Sequence, residues 1–374
     1  MRLCFIDLMP WDYDADTPFE RPLGGMQSAA CHLAAALAKR GHEVALATRT
    51  GRPGRRRGVD CLSLDDPRGR DALREGSWDA VVSLTAQAGP VRALARPGTP
   101  AFLWTGHADD QPAVACLKDP AERQGWDGIV LVGEWQRTRY AESFGLGPGR
   151  STVLRNAVSP PFQDLFEDAR DLAAAKTAAG GPMDPGPMDL AYASTPFRGL
   201  ELLACMFPLV ARPARLRVFS DMAPYPTGPA EGQFAGLYER CRSTPGIEHV
   251  GSLPQPELAR ALRPVPILAY PCTFPETSCI AVMEAMAAGC AVVASDLGAL
   301  AETTAGHALL VDPGEDWSSF PGRYLCALDL VMASVLSPAG LARLWKQVCF
   351  VNATATWDIR AREWTDRLAA WPQW

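Results

Sequence analysis

Absences narrow the reading of this 374-residue chain first. No apolar run approaches the roughly 20 residues needed to span a bilayer, so any membrane association is expected to be peripheral. Met1 to Leu8 is a short apolar run that gives way to Pro10 and acidic residues, without the basic start or cleavage site of a signal peptide. Positive charge is not in excess: the formal net charge is −6, which gives no general attraction for phosphate backbones and excludes nucleic acid as the expected partner. The eleven cysteines contain no C-x-x-C pair. Scattered through apolar runs, as at Cys4, Cys31, Cys205 and Cys290, they suit small core residues in a reducing compartment, and the expected location is cytoplasmic or at the inner face of a membrane. The G-x-G-x-x-G fingerprint and the P-loop ending in Gly-Lys-Ser/Thr are both missing, which argues against a dehydrogenase and an NTPase.

What is present is an ordinary globular composition, 48% hydrophobic and 21% charged, in a chain long enough for two domains. The first half alternates short apolar runs with amphipathic stretches: a strand at Arg2–Leu8, a helix near Gln27–Lys39, and strands at Glu43–Thr48, Ala80–Leu84, Ala101–Trp104, Gly128–Val132 and Thr152–Leu154. A second alternating set runs from Asp189–Ala193 to Ala291–Ser295. Between them, residues 165–179 read as an alanine-rich helix, and Gly180–Pro187 carries three prolines and three glycines. The expected organisation is an N-terminal Rossmann-like domain over 1–164, a linker over 165–187, a second Rossmann-like domain over 188–338, and terminal helices over 339–374. The tail is rich in tryptophan (Trp357, Trp364, Trp371) and needs a surface to pack on.

Two local charge clusters have alternative readings. Arg52, Arg55, Arg56 and Arg57 lie among glycines and a proline, either as a solvated loop or as a contact for an anionic surface. Asp12, Asp14 and Asp16 are spaced as hard-cation ligands can be, but an acidic mobile loop is the default and no metal is expected.

The most informative segment is Tyr270–Glu302. Its order is strand, turn, helix, strand, with Ser278 a good N-cap for a helix running to Ala288 and Gly289 suited to its C-terminal stop. Thr277, Ser278 and Cys279 then sit at the positive end of a helix, a ready site for a diphosphate. Glu276 precedes that cap and Glu284 lies eight residues later. A carboxylate beside phosphates makes sense when it accepts hydrogen bonds from neutral hydroxyls, such as those of a sugar or ribose. Taken without its neighbours, Glu284 also suits a solvent-facing helical position, and Glu276 a capping acid.

With Glu276 and Glu284 separated by seven residues, followed by Ala287–Ala288–Gly289–Cys290, Val292–Val293 and Gly298–Glu302, the chain resembles the GT-B glycosyltransferases, specifically the retaining family 4. The resemblance implies an α/β fold of two Rossmann-like domains facing a central cleft. It implies a retaining transfer of a hexose-type sugar from a nucleoside-diphosphate donor to a hydroxyl acceptor, in glycan or glycoconjugate synthesis and without a metal or other cofactor. A UDP-sugar is the first expectation and a GDP-sugar the second; the acceptor is a glycan, a lipid-linked sugar or another hydroxyl compound. Glu276 would face the donor sugar, Glu284 the ribose, and the Thr277–Ile280 turn the sugar and phosphate.

In the same family a lysine followed by glycine after the first strand of the second domain binds the diphosphate. Here Ser194 to Leu200 places Arg198 in that position, where a guanidinium fork can hold phosphate bidentately. The arginine common a few residues earlier is missing. Gly24–Gly25 matches the glycine turn of the first domain. His107 follows a strand and would stand at its carboxyl end, where open α/β sheets place ligands, with Asp109 and Asp110 to orient it or to meet the acceptor. Glu134 and Trp135, at the start of a helix, and Arg155 and Asn156, at the end of the last strand, are also expected to face the cleft, Glu134 with Asp109 on the acceptor side. Two rivals remain open: a related epimerase or phosphorylase, and a non-catalytic nucleotide-sugar-binding subunit.

Overall fold

A computed structural model describes residues 1–178, 186–225 and 231–371, and the chain forms two compact units. The first comprises residues 1–157 together with the helix Trp357–Ala369; the second is Val158–Thr356.

The first unit is built on an eight-stranded sheet: β1 Arg2–Ile6, β2 Glu43–Thr48, β3 Gly54–Arg56, β4 Val59–Ser63, β5 Ala80–Ser83, β6 Ala101–Thr105, β7 Gly128–Leu131 and β8 Ser151–Val153. The spatial order is β3-β4-β2-β1-β5-β6-β7-β8, parallel throughout except for β3 against β4. The inner strands are near-continuous apolar runs because helices cover both faces of such a sheet. Strand order reverses between β1 and β5, the position at which open sheets of this kind bind ligands at their carboxyl ends. The terminal helix packs Trp364 edge-on against Phe5 and Trp104, at 6.2 and 5.1 Å between ring centroids.

The second sheet holds β9 Met188–Ala193, β10 Ala214–Phe219, β11 Ile247–His249, β12 Ile267–Tyr270, β13 Ala291–Ser295 and β14 Leu309–Val311, ordered β11-β10-β9-β12-β13-β14 and all parallel. Its reversal lies between β9 and β12. The expected linker does not run between the units. The helix Ala169–Thr177 belongs to the second unit, capped by Asp168, which accepts from Arg170 N and Asp171 N. Phe166 and Leu172 enter the core. Lys176 is buried with them, its ammonium donating to the carbonyls of Val265 (2.7 Å) and Ala288 (2.6 Å). It thereby closes the carboxyl ends of two neighbouring helices, Gln255–Leu262 and Ile280–Ala287. The boundary falls at Ala157–Val158, just before Pro160–Pro161 and a few residues short of the expected domain end at 164; most of the Gly180–Pro187 breaker lies outside the described residues.

The arginine cluster is likewise not a free loop. It folds into the β3–β4 hairpin and meets the acidic loop: Arg52 and Arg56 both reach the buried Asp14, at 3.0 and 3.1 Å, while Arg57 pairs with Asp16 at 2.8 Å. Asp12 instead accepts from Gly51 N. Asp14 and Asp16 share Arg56, at 3.1 and 3.6 Å, so each cluster neutralises much of the other.

Candidate functional site

The sheet reversal of the second unit brings together two loops far apart in sequence. After β9 the chain runs through Ser194, Thr195 and Arg198; after β12 it runs through Cys272, Phe274 and Glu276. Their close passage depends on Gly199, at φ +97°, where a Cβ would stand 2.1 Å from the carbonyl oxygen of Pro271. A second glycine, Gly298 at φ +62°, lies against the backbone of Glu276 in the same way, with 2.4 Å to its oxygen. Ala299 N donates to that oxygen at 2.6 Å.

In this setting Arg198 donates through Nη1 to Oε1 of Glu276, forming an ion pair with the carboxylate almost fully buried. Tyr270 OH donates to the same oxygen at 2.5 Å, and Ser194 Oγ stands 3.3 Å from Tyr270 OH. All the hydrogen bonds to this carboxylate among the described residues fall on Oε1, so Oε2 keeps its lone pairs for further donors. The guanidinium of Arg198 lies 4.6 Å from the ring centroid of Phe274 and 5.7 Å from that of Phe197. Burial works against its charge, but Glu276 and Tyr270 outweigh it and hold the proton firmly.

The helix that follows is Ile280–Ala287, so it begins later than Ser278 suggests. Cys279 is the N-cap and makes no side-chain cap, and its thiol is pushed up by burial and then by Glu276. The free backbone N–H groups therefore belong to Cys279 and the first turn from Ile280, while Thr277 is buried in the turn before them. Glu284 is buried too, which removes the solvent-facing reading. It accepts from Ser159 Oγ at 2.6 Å and from Gln255 Nε2 at 3.3 Å. Burial pushes its carboxyl up to about 7, against the pull of Ser159. Neither Ser159 nor Gln255 carries a sequence signal for this place, since both are common polar residues in polar company.

Three further hydroxyls, Thr195, Ser220 and Ser295, stand at the carboxyl ends of β9, β10 and β13, buried and without a protein hydrogen-bond partner among the described residues. A row of unsatisfied donors along one sheet edge is costly unless something polar meets it.

In the first unit Gly24 precedes the helix Gly25–Lys39 as its N-cap. The organiser of this region was not evident in the sequence: Asp7, fully buried after β1, accepts from Tyr13 OH (2.9 Å), Gln27 Nε2 (3.1 Å) and Met9 N (3.0 Å). His107 follows β6, with Nδ1 3.2 Å from Gln111 Oε1. Asp109 does not orient it. That carboxylate is bound by Arg139 (3.1 Å) and Ser143, which together hold it below its usual range although burial works the other way. His107 is fixed instead through its carbonyl, which accepts from Gln136 Nε2 (2.8 Å) and Tyr140 OH (2.9 Å) of the helix Glu134–Phe144. Glu134 pairs with Arg137 at 2.6 Å. With Arg155, Arg360 and Glu363 it lines a cavity of about 560 Å³ beside the edge strand β8, whose walls do not include His107.

The fold is paralleled in other proteins. Residues 190–326 match the family Glycosyl transferases group 1. Over whole chains, the structure is similar to sucrose-phosphate synthase of Thermosynechococcus elongatus, with 16% identity, 98% of each chain covered and a TM-score of 0.71. It is also similar to Alr3699/HepE of Anabaena in complex with UDP-glucose (13% identity, 99% of this chain and 100% of that one, TM-score 0.68). A third similar structure is AviGT4, a glycosyltransferase involved in avilamycin A biosynthesis (17%, 99% and 98%, TM-score 0.63). No curated protein sequence matches the chain at a significant level. Two α/β domains with parallel sheets in these orders are the GT-B fold, and the matched segment takes in most of β9 with Arg198, Glu276 and Glu284.

Proposed function

We propose that the chain is a retaining glycosyltransferase that moves a hexose-type sugar from a nucleoside diphosphate to a hydroxyl acceptor. The observation that carries this reading is the convergence, at the reversal point of the second sheet, of Arg198, Glu276 and a short helix that buries Glu284. A UDP-sugar is the first choice of donor, because the similar HepE structure holds UDP-glucose.

In this reading the bond between the anomeric carbon and the phosphate oxygen breaks, and its electron pair leaves with the diphosphate. The acceptor oxygen attacks the same face of the sugar, and its proton passes to a donor phosphate oxygen. Charge growing on the diphosphate is met by the remaining N–H groups of Arg198 and by the free amides from Cys279 onward, fixed dipoles that need no reorganisation. Glu276, through Oε2, accepts from sugar hydroxyls, and Glu284 accepts from the ribose. Ser194, Thr277 and Ser278 supply further donors near the phosphates. Of the first unit, His107 keeps a catalytic assignment, and Gly24 and Gly25 a donor-binding one. The proposed location is the cytoplasm or the inner face of a membrane.

The test is a thermal-shift screen with UDP, GDP, ADP and their sugar conjugates, followed by turnover with the stabilising donor and NMR assignment of the product anomer. Stabilisation by one nucleotide series and a product of retained configuration are expected, with activity unchanged by EDTA. An inverted anomer would overturn the retaining assignment; absence of any donor binding would overturn the whole.

A further inference from the structure

Phe197 is the residue of this region that folding alone does not explain. It is 39% exposed, one of four large apolar side chains left so among the described residues. Its ring stands at 72° to that of Phe274, with 6.4 Å between centroids, and 5.7 Å from the guanidinium that pairs with Glu276. Phe274, at 4.6 Å, is the closer of the two rings to that guanidinium, so Phe197 is not needed to hold Arg198. The pair presents an apolar face one guanidinium away from a carboxylate with lone pairs to spare. A pyranose needs both surfaces: its hydroxyls project from the rim, while its axial C–H groups form an apolar face. Binding sites for such ligands are mostly apolar, with a few polar groups fixing orientation.

Resting on the donor reading above, we infer that Phe197, braced by Phe274, is the platform on which the sugar ring of the donor stacks, and that it makes the site select the whole nucleotide sugar over the free diphosphate. The contact engages the sugar alone, so its contribution is absent when only the nucleoside diphosphate is bound. Aromatic contacts of this kind contribute enough for roughly a three- to tenfold gain in affinity.

The experiment compares Kd values by calorimetry for wild type, Phe197→Ala and Phe197→Trp. The probes are the diphosphate among UDP, GDP and ADP that stabilises the wild type, and the glucose and mannose conjugates of that diphosphate. Phe197→Ala is expected to leave diphosphate affinity within about twofold and to weaken the sugar conjugate roughly three- to tenfold, whereas Phe197→Trp restores it. An unchanged thermal midpoint shows that the variants fold. Equal weakening of diphosphate and conjugate would mean that the ring meets the base or only holds Arg198, and would overturn the inference, as would an unchanged ratio. If the wild type binds none of these nucleotides, the donor reading itself fails, a result the ratio cannot mimic.

Discussion

Arg198 and Glu276, 78 residues apart in the chain, form one ion pair, with Tyr270 adding a hydrogen bond to the same carboxylate oxygen at 2.5 Å. Removing one partner leaves the other charge buried. Arg198→Ala is therefore expected to destabilise the fold by about 2–4 kcal/mol, read by urea unfolding; the value sits below the fully buried case because a fifth of the arginine side chain meets solvent. Arg198→Lys keeps the charge but loses the fork. Near-normal stability is expected, with kcat/KM lower by roughly 10- to 100-fold. Equal stability of all three proteins would show that the pair does not form.

Glu284 makes stability and binding depend on pH. Its pKa is raised from 4.5 to about 7 by burial, so the folded state holds this proton more tightly than the unfolded chain. That stabilisation is full below about pH 4.5 and is lost as pH rises through 7, a change of roughly 3 kcal/mol at most. Chemical unfolding at pH 5 and pH 7.5 should show this fall in wild type and a flatter profile in Glu284→Gln. A ribose donating to the ionised carboxylate pulls the other way. Affinity for the donor nucleotide should rise between pH 6 and 8 in wild type, and stay weak and flat in the variant.

Gly298→Ala tests the close approach behind Glu276. The added methyl meets backbone at 2.4 Å on a residue at φ +62°, and a loss of about 2 kcal/mol or more is expected, with reduced turnover. Gly41→Ala is the matched control: φ is +86° and nothing lies within 4 Å of its Cβ, so only the conformational cost of about 1 kcal/mol applies and activity stays normal. Similar behaviour of the two variants would refute the steric argument.

Asp7→Asn replaces an acceptor-only group with one that donates on one side. Tyr13 OH and Gln27 Nε2 both donate to Asp7 Oδ2, so an amide nitrogen placed there meets donors, and turned round it confronts Met9 N instead. A cost of about 1–3 kcal/mol is expected, together with faster proteolysis between Met9 and Gly24. Unchanged cleavage there would show that Asp7 does not anchor this loop.

The strands were readable because buried parallel strands need unbroken apolar runs: Glu43–Thr48 has the same bounds in sequence and structure, and Ala101–Trp104 gains one residue. The hairpin β3–β4 was not, since Gly54–Arg56 carries charge instead of apolar alternation and is held by Asp14 and Asp16 from elsewhere in the chain. Nor was the place of Ala169–Thr177, whose buried lysine argues against burial until the carbonyls of Val265 and Ala288 are in place around it.

The sequence by itself determined the alternation of elements, the spacing of Glu276 and Glu284 and the presence of Arg198, because periodicity and residue type are local properties. Only the tertiary structure decided what these groups do to one another. Strand order sets which loops meet, so Arg198 pairs with Glu276, Ser159 donates to Glu284, and Asp109 turns to Arg139 and Ser143 and leaves His107 to Gln111. Burial and partner, which fix the charge and hydrogen-bonding capacity of each side chain, exist only once residues remote in the chain are packed together.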